Sequence, residues 1–265
     1  MPQNELDRLV AAISTSNKYR QIAPDLVRRL GAQELSKGRK FKDAVKAAKN
    51  KLHQIAAVYH EGSFAYERWL TQLQQAPDRA ALQASCAAIM AHHASTRERL
   101  PILDLFYTTL FAGLPPIHSI LDLACGLNPL AAPWMGLAGN VRYYAYDIYQ
   151  DQAAFLNRTL PLLGLQGRAR VCDLLQCRPT ETADVALLLK TIPCLEQVDK
   201  EAGRRLLDGV NAPVVLVSFP VQSLGGREKG MMEHYERHFY ELVAGRSWQI
   251  DRFVFNTELV YRLRR

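Results

Sequence analysis

Small and acidic residues follow three successive predicted strands in the second half of the chain. A small-residue turn at 124–126 follows the first strand, Asp147 ends the second and Asp173 ends the third. Small residues let a ligand approach the backbone closely, and in open α/β sheets an acid about 20 residues beyond such a turn binds ribose hydroxyls. Asp173 could accept a hydrogen bond from an adenine amino group, with Leu174 covering the ring. We therefore predict a pocket for an adenosine-containing cofactor.

The turn after the first strand discriminates between adenosine cofactors. It contains Gly126 alone and lacks the second and third glycines of the pyrophosphate-binding fingerprint GxGxxG. S-Adenosylmethionine has no pyrophosphate, but its carboxylate needs a cation. Arg97 and Arg99, just upstream of the sheet, could pair with that carboxylate. The pattern favours S-adenosylmethionine over a nicotinamide dinucleotide.

Strand and helix signals alternate after Pro115 and Pro116, as they do in a parallel sheet. Five short apolar runs, at 118–124, 142–147, 169–173, 184–189 and 214–219, are typical of buried parallel strands. Two further runs, 248–255 and 258–264, flank Asn256-Thr257 and predict an antiparallel hairpin. The predicted fold over residues 113–265 is α/β, of the class I Rossmann-like methyltransferase type with a seven-stranded sheet.

Residues 1–112 have helical periodicity and no strand alternation, so we expect a separate helical domain. The predicted breakers of its helices are Pro24, Gly31, Gly38, Gly62 and Pro77. The clearest helix carries an apolar stripe of Phe41, Val45, Ala48, Leu52 and Ile55. Beside this stripe, one residue further along at each step, lie Lys42, Lys46 and Lys49.

The positive charge of the chain is concentrated in this helical segment. The whole chain has a formal net charge of +7, and residues 1–60 hold twelve lysines and arginines against five acids, an excess of the same size. A positive excess confined to one segment predicts a polyanionic partner, because each phosphate contact releases counterions. The alternative is a solvated helical surface with no partner.

Several classes of protein are excluded by the sequence. The N-terminus has early acids and no long apolar run, so we expect neither a secretory signal nor a membrane anchor, and a cytoplasmic protein. Five cysteines without a CxxC pair predict reduced structural thiols and no metal site. We expect a monomer.

The motifs together resemble the aminoglycoside-resistance 16S rRNA methyltransferases, which methylate N7 of the A-site guanine 1405. The resemblance spans nearly the whole chain. The segments that carry it are 16–20, 27–30, 93–100, 122–130, 188–193, 218–220, 223–225, 229–231 and 258–261. The turn ACGLNP departs from the usual glycine-rich methyltransferase loop in the way this family does.

The resemblance implies a set of residues around S-adenosylmethionine. They are Tyr59, His93, Ser95, Thr96, Arg97, Arg99, Ala124, Gly126, Asp147, Asp173, Leu174 and Lys190. Guanine N7 carries a lone pair and no proton, so its methylation requires no general base. Lys190 would be a poor base, but it could position the cofactor or a phosphate. A structural ion pair is the alternative for Lys190.

We expect 16S rRNA in the small ribosomal subunit to be the partner of the basic residues. The candidates for phosphate contact are Lys18, Arg20, Arg28, Arg29, Lys42, Lys46, Lys49, Arg227 and Lys229. A stacked guanine cannot reach a buried methyl group, so the base should flip outward. Two other functions stay open, namely a methyltransferase for another base atom such as adenine N1, and a non-catalytic RNA-binding protein with a methyltransferase-like fold.

Overall fold

A computed structural model describes residues 3–57, 64–221 and 230–265 of the chain. Its sheet has seven strands in the order β3-β2-β1-β4-β5-β7-β6, of which β1 to β5 run parallel and β7 lies antiparallel between β5 and β6. The strands are β1 Ser119–Leu123, β2 Arg142–Asp147, β3 Gln166–Val171, β4 Val185–Leu189, β5 Val214–Pro220, β6 Gln249–Val254 and β7 Glu258–Arg264. This confirms the predicted seven-stranded fold with its terminal hairpin.

The described residues before β1 form helices. They are α1 Gln3–Ser14, α2 Pro24–Leu35, α3 Phe41–Leu52, α4 Tyr66–Gln74, α5 Arg79–Met90, α6 Ala94–Arg99 and α7 Leu103–Phe111. Four more follow in the sheet region, α8 Gln150–Thr159, α9 Thr191–Leu195, α10 Ala202–Gly209 and α11 Met231–Val243. In the described ranges, none of the helices is long and apolar enough to cross a membrane.

The third strand begins and ends earlier than its apolar pattern predicted. The prediction was 169–173, whereas β3 spans Gln166–Val171. β3 forms one edge of the sheet, only Ala169 within it is buried, and its first three residues, Gln166 to Arg168, include no apolar side chain. A search for apolar runs therefore found only its second half. Asp173 consequently lies two residues beyond the strand.

The described residues form three hydrophobic cores. The domain boundary predicted between residues 112 and 113 stays a prediction. Helices α4, α5 and α7 pack on one face of the sheet, and α10 and α11 pack on the other. Helices α1 to α3 have a core of their own, to which the sheet region contributes Tyr149. Only the first three helices are thus a separate packing unit.

Gly31 was predicted to break a helix, and that prediction is wrong. It lies inside α2, where an added Cβ would be 2.4 Å from Leu9 Cδ2 of α1. The absence of a side chain lets α1 and α2 approach closely. Pro24, by contrast, is the first residue of α2, a position where its missing N–H costs no hydrogen bond.

The prediction that all cysteines are reduced is also wrong. Cys172 and Cys177 form a disulfide, and the turn between them places their Cα atoms 6.0 Å apart. The amides of Gln176 and Cys177 both donate to the Asp173 carbonyl at 2.8 Å, which closes this turn. The disulfide therefore spans the segment that carries Asp173.

Candidate cofactor-binding site

One cavity lies at the carboxyl ends of β1, β2 and β4, where open α/β sheets bind their cofactors. Its volume is about 780 Å³ including the solvent at its mouth. The predicted cofactor residues that line it are His93, Ser95, Ala124, Asp147, Asp173, Leu174 and Lys190. Sequence analysis missed Leu26, Ile55, Ile148 and Tyr149, which also line it. Two of these come from the helical segment before residue 60, and no local pattern shows that contribution.

The turn after β1 holds two residues with left-handed backbone, Ala124 at φ 55° and Gly126 at φ 53°. An added Cβ at Gly126 would lie 2.7 Å from Cε1 of the His93 ring. Glycine is therefore required here both by the backbone and by the approach of His93. A non-glycine residue such as Ala124 in this conformation is strained, and such strain concentrates at ligand sites.

The Asp147 carboxylate is held by two backbone amides at the end of β2. The Gly126 amide donates to Oδ2 and the Ile148 amide donates to Oδ1, each at 2.7 Å. Burial raises the pKa of Asp147, and these two amides oppose that rise. The amides fix the carboxylate at the cavity wall and leave lone pairs for further donors such as ribose hydroxyls.

The Asp173 carboxylate is held from two sides as well. Its Oδ2 accepts a hydrogen bond from Arg29 Nε at 2.9 Å and lies 2.8 Å from Arg29 Nη2. Its Oδ1 accepts from the Leu175 amide at 3.1 Å. Arg29 was predicted to bind RNA, and in this structure it pairs with the acid predicted to bind adenine.

Lys190 immediately precedes α9 in a left-handed conformation at φ 59° and is buried at the cavity wall. Its ammonium donates to Glu98 Oε2 at 2.6 Å and lies 3.5 Å from Glu258 Oε1. The structural ion pair considered as an alternative for Lys190 is thus present, together with its position at the cavity. Glu258 was not among the predicted site residues. The available signal was an acid directly before the apolar run Leu259 to Tyr261.

Arg99 lies behind the cavity and does not line it. Its side chain is 1% exposed; Nε donates to Glu258 Oε1 at 2.7 Å and Nη1 donates to Asn128 Oδ1 at 2.8 Å. Its Nη2 is buried and has no hydrogen-bond partner among the residues that the structure describes. The charges of Arg99 and Lys190 lower the pKa of Glu258 although burial acts to raise it.

The remaining predicted cofactor residues are less directly placed. The Thr96 hydroxyl donates to the Met90 carbonyl at 2.7 Å, and Thr96 is buried within α6. Arg97 is half-buried in the same helix and does not line the cavity. Tyr59 lies outside the described residues.

A buried polar cluster supports the turn after β1 from behind. The amide of Asn128 and the hydroxyl of Tyr143 donate to Asp122 Oδ2 at 2.9 and 2.6 Å, and the Tyr107 hydroxyl donates to Asn128 Oδ1 at 2.6 Å. Burial raises the pKa of Asp122 to about 6, although the hydrogen bonds from Tyr143 and Asn128 act to lower it. The cluster fixes the loop that carries Asn128.

The predicted RNA-binding residues lie in different environments. Lys42 and Lys46 are exposed on α3, and Lys49 is half-buried. Arg28 pairs with Asp7 at 2.6 Å, Arg20 donates to Asn17 at 3.4 Å and Lys18 lies over the Tyr19 ring. Arg227 and Lys229 lie outside the described residues.

A cation cluster that sequence analysis missed surrounds Glu34, whose side chain is 1% exposed. Lys37, Arg39 and Lys51 contact its carboxylate at 2.7, 2.9 and 2.8 Å. Burial acts to raise the pKa of Glu34, but the hydrogen bonds and charges of Lys37 and Lys51 outweigh it and bring the pKa to about 2. The cluster gathers three cations around one acid on the helical unit.

The cavity residues fit S-adenosylmethionine. Carboxylates at the ends of two adjacent strands match the ribose and adenine donors, Leu174 supplies an apolar wall, and the partnerless Arg99 Nη2 marks unused donor capacity behind the cavity. Within the described ranges, no three acidic, histidine or cysteine side chains gather as metal ligands would. The sheet order and these strand-end acids define a class I methyltransferase that uses S-adenosylmethionine.

Comparison with known proteins identifies the family. A family model described as ribosomal RNA methyltransferase (FmrO) matches residues 15–262. The chain belongs to this family. It is similar to two proteins named 16S rRNA (guanine(1405)-N(7))-methyltransferase. The one from Micromonospora echinospora is 42% identical over 98% of this chain and 97% of its own length, and the one from Micromonospora rosea 41% over 97% and 96%.

A solved structure supports the same assignment. The 16S rRNA methyltransferase RmtF, crystallised with S-adenosyl-L-homocysteine, superposes with a TM-score of 0.86 at 35% identity. The match covers 100% of this chain and 99% of RmtF.

Proposed function

We propose that this protein transfers a methyl group from S-adenosylmethionine to N7 of guanine 1405 in 16S rRNA, within the small ribosomal subunit, and thereby confers aminoglycoside resistance. The observation that carries the proposal is the near-complete match to relatives named for this reaction, which spans 97 to 98% of the chain. Both the cofactor cavity and the basic helices lie inside the matched region.

The described residues suit the donor in distinct ways. Asp147, Asp173 and Leu174 all line the cavity. There Asp147 would accept hydrogen bonds from the ribose hydroxyls, Asp173 would accept one from the adenine amino group and Leu174 would cover the ring. The donor supplies an electrophilic methyl group on a sulfonium. The predicted cations for its carboxylate are Arg97 and Arg99, neither of which lines the cavity in this structure, with Ser95 and Thr96 nearby.

Catalysis requires positioning more than proton transfer. Guanine N7 has a lone pair and no proton, so the protein needs no general base. The Lys190 ammonium contacts Glu98 at 2.6 Å, which suits a residue that holds the cavity wall. The rate then comes from alignment of N7 with the methyl carbon, the proximity effect.

The RNA contacts fall to the basic helical unit. Exposed Lys42 and Lys46, with Lys49, lie in a row along α3 and can contact successive phosphates. Arg227 and Lys229 are further candidates, to hold the backbone around a flipped base. We expect the protein to act as a monomer in the cytoplasm, where ribosomal subunits are found.

Incubation with isolated small subunits and isotope-labelled donor, followed by mass mapping of the rRNA, tests the proposal. The expected product is 7-methylguanine at nucleotide 1405. Label at an adenine N1 would identify a different base specificity. Donor binding without label transfer would indicate a non-catalytic RNA-binding protein, and both results would overturn the proposal.

A further inference from the structure

The segment that leads into α2 is built into the cofactor cavity. The Ala23 amide donates to the Ile148 carbonyl at 2.7 Å, and the Gln150 amide donates to the Gln21 carbonyl at 2.8 Å. These bonds attach the helical unit to the loop directly after Asp147. Leu26, in the first turn of α2, lines the cavity itself.

Arg29 lies one helical turn further along α2 and contacts the other strand-end acid. Its side chain is 15% exposed and that of Asp173 is 7% exposed, so the pair is largely removed from water. Arg29 Nε donates to Oδ2 at 2.9 Å and the Leu175 amide donates to Oδ1, while Arg29 Nη2 lies 2.8 Å from Oδ2 without the geometry of a hydrogen bond. The two contacts fix the plane of the carboxylate, and each oxygen keeps a lone pair.

The neighbouring arginine of α2, Arg28, lies in a different environment from Arg29. The Arg28 side chain is 43% exposed and pairs with Asp7, which is 49% exposed. Such a surface pair contributes little to stability and leaves Arg28 accessible. Arg29 instead pairs with Asp173. Without this cation the Asp173 carboxylate would be a buried charge with no counterion, which is strongly destabilising.

We propose that Arg29 is a positioning residue for the methyl donor: it orients the Asp173 carboxylate toward the adenine amino group and so links donor affinity to the placement of α2. The inference rests on the proposed function, because it takes the donor to be S-adenosylmethionine. Linkage makes the effect reciprocal. Donor binding therefore strengthens the docking of α2, and RNA that holds the helical unit in place strengthens donor binding by the same factor.

Calorimetric titration with S-adenosylhomocysteine tests the inference in the full-length protein. Arg29→Gln should weaken binding roughly tenfold, the scale of a moderate coupling between sites. Arg29→Lys keeps the charge without the planar fork and should lose less. Arg158→Gln is the matched control, since Arg158 also joins the helices to the sheet region, through Glu67, in an exposed pair away from the cavity. The affinity of Arg158→Gln for S-adenosylhomocysteine should equal that of the wild type.

An analogue separates orientation of Asp173 from a general loss of structure. S-Inosylhomocysteine carries a keto oxygen where adenine has its amino group, so it has no N–H at that position to donate to Asp173. Wild type and Arg29→Gln should bind this analogue with nearly equal affinity, whereas a merely structural role would weaken both ligands alike. Thermal melting shows whether Arg29→Gln is folded. If it is not, the same two ligands are compared between wild type and Arg29→Lys.

The outcomes distinguish this inference from the proposed function. A wild-type protein that fails to bind S-adenosylhomocysteine would contradict the proposed function. Wild-type binding with an unchanged affinity in folded Arg29→Gln would overturn only the role of Arg29. An increased affinity would also overturn it, because Arg29 would then compete with adenine for Asp173.

Discussion

Arg99 of α6 and Glu258 at the start of β7 form an ion pair that is shielded from solvent. Arg99 Nε lies 2.7 Å from Glu258 Oε1, and the side chains are 1% and 0% exposed. The pair joins the helices before the sheet to one of its last strands. Because both charges are buried, Glu258 depends on Arg99 as its nearest cation, and the Lys190 ammonium at 3.5 Å is the second.

Arg99→Met should destabilise the protein by about 3 to 5 kcal/mol, because it leaves the Glu258 carboxylate buried without its closest cation. The double variant Arg99→Met with Glu258→Leu should be more stable than the single variant, since no uncompensated charge remains. Chemical denaturation of wild type, both single variants and the double variant measures the coupling. Additive losses would show that the two charges do not compensate each other.

Asp147→Ala should weaken donor binding while the protein stays folded. Hydrogen bonds to a charged acceptor contribute about 1.5 to 3 kcal/mol, so the dissociation constant should rise by roughly tenfold to over a hundredfold. Asp208→Ala is the control, because Asp208 is an exposed acid paired with Arg246 outside the cavity. Titration with S-adenosylmethionine provides the measurement. Equal affinities for a folded Asp147→Ala and the control would remove Asp147 from the site.

Asp122 should make stability depend on pH in the mildly acidic range. Its pKa is raised from 3.8 to about 6 by burial, so the folded state binds a proton more tightly than the unfolded state. The resulting stabilisation is complete below the unfolded pKa and is lost as pH rises through about 6. Asp122→Asn cannot ionise, so it avoids this loss in the free energy of unfolding, which amounts to up to about 3 kcal/mol at neutral pH.

Urea unfolding of wild type and Asp122→Asn at several pH values from about 4 to 7 checks this expectation. Any packing cost of the amide is the same at every pH, so the pH dependence of the difference isolates the ionisation. The difference should shift in favour of the variant as pH rises. A constant difference would mean that the pKa of Asp122 is not raised in the folded protein.

Replacing Lys42, Lys46 and Lys49 together by Gln should separate RNA binding from donor binding. Gln and Lys have similar helix propensity, and the buried residues of α3 are untouched, so the helix should persist. Affinity for the small subunit should fall. The slope of log affinity against log salt should shrink by roughly two to three units, at about 0.7 to 0.9 per lost phosphate contact.

The matched control removes the same charge from the sheet region by replacing Arg142, Arg178 and Arg204 with Gln, all of which are exposed. Subunit binding at several salt concentrations compares the two triple variants with wild type, and donor titration verifies the fold. Equal slopes for both triple variants would mean that α3 has no special part in RNA binding.

The sequence predicted the sheet well because buried parallel strands leave apolar runs that end in loops. Asp147 was placed at its strand end for that reason, and Asp173 was found near the end of β3 although only half of that exposed strand was recognised. Pairings between distant residues could not be predicted. Arg29 and Asp173 are 144 positions apart, and Arg99 and Glu258 are 159 apart, so no local spacing relates them.

The exposed third strand, β3, also affects the tendency of copies of the protein to aggregate. β3 forms an edge of the sheet, and an unprotected edge is a template onto which another strand can add. Arg168 and Arg170 project from this edge toward solvent, where they share Glu181. Two such edges brought together would oppose their guanidinium groups. The charge on β3 thus disfavours aggregation by strand addition at this end of the sheet.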